Sequence, residues 1–209
     1  MKRRIAIAGL LFVFFAGPVS GQNATVVYVD DPEEVRLVAQ DGREISADIG
    51  TIVGAGTRIV SGDSNVELVV HPTQTRVRIR SNTEFVLDAI EQTSTGLDHQ
   101  FGLLYGKFRA IAVTGNDVRY TVRTPAAVAG VRGTDFVQSV VPGEKDWICV
   151  RQGSVDFTSL RDNRTVVVRR GRFAEVYSDS FGAERAGRAR IRAIFADVLF
   201  ADVPFAETE

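Results

Sequence analysis

Arg132 and Asp135 stand three residues apart in TPAAVAGVRGTDF (124–136), a stretch otherwise made of small and apolar residues. A guanidinium presents its donors in a fixed fork, so it can hold a carboxylate at two points, cap backbone carbonyls, or grip an anionic ligand. Pro125 has no N–H and ends any ladder running into Thr124. Gly130 and Gly133 allow positive φ, and the alanines permit close approach to a neighbouring sheet. One reading makes Thr124, Pro125, Gly130, Arg132, Gly133, Thr134 and Asp135 a structural corner between sheets, with Arg132 and Asp135 satisfying each other. The other makes Arg132 an anion site. A single arginine without clustered polar neighbours is a thin ligand site, so the corner reading leads.

Other reactive side chains are sparse. The two histidines, His71 and His99, belong to no HxH or HExxH pattern, which gives a metal site little support. The single cysteine, Cys149, lies in the apolar run WICV and reads as a small buried hydrophobe, with no second cysteine to form a disulfide or a redox couple. Gly54 and Gly56 form a lone GxG with no helix after it, a turn rather than a phosphate cradle. Asp30, Asp31, Glu33 and Glu34 crowd a turn, where carboxylates are solvated charge. No catalytic residue, metal or cofactor is expected.

The elements that must position these residues are short strands. Residues 26–29, 34–38, 65–70, 76–80, 84–90, 106–113, 117–123, 135–141, 147–150, 155–160, 165–168 and 174–177 read as strands between turn residues. In RVRIR (76–80), Val77 and Ile79 share one face while Arg76, Arg78 and Arg80 share the other, which predicts a sheet with one dry and one wet face. The pattern predicts an all-β, antiparallel sandwich or barrel. After about residue 182 the period changes: Ile191, Ile194, Phe195, Val198 and Leu199 form one helical stripe. Arg185, Arg188, Arg190 and Arg192 crowd its start, against the helix dipole. Docking on the sandwich is the leading reading. Arg185, Arg188, Arg192, Ile191 and Phe195 binding a partner or a membrane surface is the alternative.

The chain is 209 residues long. Its start, with Lys2, Arg3 and Arg4 before an apolar run and small residues, has the pattern of a secretory signal peptide over residues 1–21. The run is too short for a comfortable membrane span, so none is expected after cleavage. Losing those three cations moves the formal charge from −1 to about −4, which gives no reason to expect nucleic acid. Residues 22–182 form the expected sandwich domain, and 183–209 an amphipathic helix and tail.

Five segments recur in order: Gly56 and Gly62 around a short strand, VEL at 66–68, GKFRA at 106–110, VRTPAAVAGVRGTDF at 122–136 and VRQGSV at 150–155. On these motifs the chain resembles the FecR family, periplasmic domains named for the ferric-citrate regulator, most strongly over residues 49–157. The resemblance implies a jelly-roll β-sandwich, exported and non-catalytic. It is to stand-alone members, without the cytoplasmic anti-sigma segment and membrane span of the founding proteins. A binding or signal-relay module of the cell envelope is the implied function, with an envelope protein or a cell-wall polysaccharide as partner. A structural envelope protein assembling through its C-terminal helix is the alternative, and an oligomer stays open.

Overall fold

A computed structural model describes residues 23–113, 117–177 and 181–198. The expected signal peptide and residues 199–209 of the expected tail lie outside them. The described strands are β1 (Asn23–Val29), β2 (Arg36–Val38), β3 (Glu44–Ile45), β4 (Ile52–Gly54), β5 (Thr57–Val60), β6 (Val66–Val70), β7 (Thr75–Ile79) and β8 (Glu84–Thr93). They continue with β9 (Gly96–Ile111), β10 (Val118–Arg123), β11 (Ala127–Val141), β12 (Lys145–Ser159), β13 (Thr165–Arg169), β14 (Arg172–Glu175) and β15 (Glu184–Arg185). A single described helix, α1 (Arg188–Ala196), follows.

These strands form the expected all-β sandwich. Three long strands belong to both layers. The first layer runs β4, β1, β6, β7, then the second half of β9 and of β11, the first half of β12, β14 and β15. The second runs β3, β2, β5, β8, then the first half of β9, β10, the first half of β11, the second half of β12, and β13. Between them lies one core, where Val26, Leu68 and Val77 meet Leu37, Ile59, Phe85 and Phe101. Phe108 bridges the layers, with ring centroids 5.2 Å from Phe85 and 5.7 Å from Phe136. Each fully buried phenylalanine contributes roughly 1.5–3 kcal/mol.

The sequence reading missed β3, β4 and β15 and the full length of β9, β11 and β12, and three further departures bear on the site. β9 and β10 pair in parallel, Val118 opposite Leu97 through Arg123 opposite Gly102, so the sheet is mixed rather than wholly antiparallel. Arg185 sits on strand β15 opposite Arg172, not on the helix, because Gly187 is the helix N-cap and the chain before it is extended. The wet face expected of RVRIR is only partly wet: Arg76 and Arg80 are half-buried and Arg78 is fully buried. Beside it, the end of α1 carries Asp197 to Lys107 (2.5 Å) and Arg80 (3.4 Å).

Candidate functional site

The stretch 124–136 is the hinge by which β11 changes layers. Before it, Arg123 ends β10, and the Thr124 hydroxyl caps the turn by accepting from the Ala127 N–H (2.8 Å). That hydroxyl also donates to the buried Asp146 carboxylate. Burial pushes the Asp146 carboxyl upward, against the hydrogen bonds from Thr124, Gln138 and the Ala126 backbone. From Val128 to Val131, β11 pairs with β10; from Asp135 to Val140 it pairs with β9. The switch falls at a bulge between Arg132 and Asp135, where Gly133 takes φ +54°. Facing it, Gly153 of β12 has φ +82°, and a β-carbon there would lie 2.7 Å from the Gly133 carbonyl oxygen. Only two glycines let the strands bend together this closely. The Thr134 hydroxyl fixes the bend by donating to the Ser154 carbonyl (2.9 Å).

Two expectations about this stretch are corrected. Gly130 lies in regular strand, and a β-carbon there would meet nothing closer than 3.8 Å, so positive φ has no part at that position. Arg132 does not hold Asp135. The bulge turns the two side chains onto different layers: Arg132 is exposed opposite Ser154, while Asp135 joins the outer face of the first layer. There Arg109 holds it at two points, Nε to Oδ1 and Nη2 to Oδ2, each 2.8 Å.

Asp135 is the end of a buried ionic row that sequence reasoning missed. In register across neighbouring strands come Glu67 on β6, Arg78 on β7 and Arg109 on β9. Arg78 donates to Glu67 (2.7 Å), and Arg76 reaches the other Glu67 oxygen (3.0 Å). Burial lowers the Arg78 value, partly offset by Glu67. One signal was present in the sequence: a lone acid inside the otherwise apolar VELVV of β6.

α1 closes this row. Phe195 is 4% exposed, with the Arg109 guanidinium 5.1 Å and that of Arg151 5.8 Å from its ring. Phe195 and Val198 pack with Val137, Cys149, Phe173 and Ala186, and Ile191 and Ile194 flank them. The helical stripe is thus spent on the chain's own sheet, as docking requires. Of the residues expected to meet a partner, Arg185, Arg188 and Arg192 are exposed, Ile191 is half-buried and Phe195 is enclosed.

The remaining reactive groups are set into the fold. Cys149 is buried, and burial pushes its thiol to about 11. His99 is buried and stacks on Tyr120 at 5.0 Å; neither ring nitrogen has a hydrogen-bond partner among the described residues. Burial lowers it to about 4. His71 bonds to Thr25 and Gln74, each at 3.0 Å. Among the described residues no group of His, Cys, Asp and Glu could hold a metal, and no helix is long and apolar enough to cross a membrane.

Comparison with known proteins follows the same residues. A family model described as FecR protein matches residues 57–172, which contain β5 through the start of β14. No curated protein matches. Two crystal structures of a candidate anti-sigma factor from Parabacteroides distasonis are similar in fold, each with a TM-score of 0.51, at 14% and 16% identity. In both, the likeness covers 63% of this chain and spans 60% of the other chain's length.

Proposed function

The chain belongs to the FecR protein family, and from that membership we propose that it is an exported, non-catalytic binding module of the cell envelope that takes part in signal relay. The observation that carries the reading is the family match over residues 57–172. The family is regulatory and typically envelope-associated, which makes the chain a module related to signal transduction. The fold it shares with candidate anti-sigma factors agrees with that class. Export is supported by the basic and then apolar start of the sequence.

The chemistry of the described residues supports recognition rather than turnover. The most family-specific stretch supplies a turn cap, a bulge and one end of a buried ionic row. Binding is then left to exposed faces, and the partner is an envelope protein or a cell-wall polysaccharide. Assembly through α1 has less support, because its apolar residues already pack on the sheet.

Fractionation of producing cells tests the export half of the proposal. The chain is expected in the extracytoplasmic fraction with a mature N-terminus near residue 22. Recovery from the cytosol with residues 1–21 intact would overturn it.

A further inference from the structure

Six arginines lie on three segments that adjoin at one edge of the sandwich. Arg169, Arg170 and Arg172 surround Gly171 between β13 and β14, Arg185 lies on β15, and Arg188 and Arg192 lie on α1. Three contacts join these segments. The Gly171 N–H donates to the Val150 carbonyl (2.8 Å), and the Ala186 N–H donates to the Gly171 carbonyl (3.0 Å). Ile191 comes within 4.0 Å of the place a β-carbon on Gly171 would take. All six arginines are exposed, and among the described residues none makes an ion pair.

This arrangement opposes the stability of the fold. Arg172 and Arg185 are direct cross-strand partners, and like charges so placed repel. Arg188 and Arg192 repel at one helical turn. Arg188 also opens a helix whose first turn contains no acid. The chain as a whole has a formal charge of −1, so the cluster is not a consequence of composition. An anionic ligand would turn each of these costs into attraction.

We propose that this arginine edge binds an acidic polysaccharide through its repeated carboxylate, sulfate or phosphate groups. The inference rests on the binding-module reading above and specifies one partner class for it. Every cation in the cluster is arginine, whose fork holds such groups at two points. The backbone positions that carry them repeat at about 5 Å on neighbouring strands and successive helical turns, which suits a regularly charged polymer. A protein partner is less favoured, because protein interfaces centre on buried aromatic or aliphatic anchors. Here Phe195 and Val198 are already enclosed. The same enclosure leaves α1 no apolar face to insert into a lipid surface.

Binding of the full chain to polygalacturonate and to heparin, with neutral dextran as control, tests the assignment. The wild type is expected to bind both acidic polymers and to release them as salt rises. The triple variant R185Q/R188Q/R192Q is expected to lose about tenfold or more in affinity while melting no lower than wild type. R36Q/R43Q/R58Q, which removes the same formal charge from exposed, ion-paired arginines at the opposite edge of the second layer, is expected to bind as wild type does. Equal losses in the two triples would overturn the inference, as would tighter retention on anionic phospholipid vesicles than on polygalacturonate. A wild-type chain that ignores both polymers yet cross-links to an envelope protein overturns this inference and leaves the binding-module reading standing. One that does neither overturns both.

Discussion

Asp135 is held by Arg109 of a neighbouring strand, at 2.8 Å through each carboxylate oxygen, and not by Arg132 three residues before it. The pair lies beneath Phe195, with Arg109 only 2% exposed. Breaking a buried ion pair from one side costs about 3 kcal/mol or more. Asp135→Ala is therefore expected to destabilise by that order, whereas Arg132→Ala should stay within about 0.5 kcal/mol of wild type. Urea unfolding of the two variants checks this; equal losses would restore Arg132 to the fold.

The layer change depends on glycine at one position more than at its neighbour. Gly153→Ala forces a β-carbon against the Gly133 carbonyl at φ +82°, and should cost about 2 kcal/mol or more. Gly130→Ala sits in open, regular strand and should be neutral or stabilise by up to about 1 kcal/mol. Thermal melts of both variants decide whether the bend or the mere smallness of this stretch matters.

Thr124 links the turn before β11 to the buried Asp146. Thr124→Val keeps the shape but removes both the hydroxyl donor to Asp146 and the acceptor for Ala127. The expected loss is about 1–3 kcal/mol, because a buried carboxyl loses a partner. Chemical denaturation measures it; no loss would mean that Asp146 is satisfied without Thr124.

His99 makes stability depend on pH with a defined sign. Its folded value, about 4, lies below the ordinary 6.5. Between those limits the unfolded chain takes up a proton that the folded chain refuses. Stability is therefore complete above about 6.5 and declines as pH falls toward about 4, by at most about 3 kcal/mol. His99→Phe keeps a ring against Tyr120 and removes the titration. The difference between the wild-type and variant stability profiles isolates the effect from that of Asp146, whose shift acts in the opposite direction with pH. A difference that is flat from pH 4 to 7 would contradict it.

Much of this fold was legible in the chain, for physical reasons. Alternation placed strands such as β6, β7, β8, β10 and β13, because one face of each packs into a common core, but it missed β3, β4, β15 and the first halves of β9 and β11. Helical spacing found Ile191, Phe195 and Val198, because they must dock. What the pattern could not show was what lies on the far side of a strand. Arg78 and Arg109 look like solvated positions by alternation, yet both are buried, Arg109 beneath the Phe195 ring of α1, which is distant in sequence. The Arg132–Asp135 pairing failed for a related reason. A bulge changes which layer a side chain faces, and spacing of three residues does not announce a bulge. The parallel pairing of β9 and β10 is likewise a property of how distant segments meet.

The proposed function requires exposed faces of this family-typical sandwich to bind an envelope partner. Photo-cross-linking side chains placed one at a time in producing cells test it most directly. The positions are Arg132 on the second layer, Arg188 on α1, and the buried Val122 as control. The account predicts a defined envelope component attached at one or both exposed positions and nothing at Val122. A chain that emerges uncross-linked from every exposed position would contradict it.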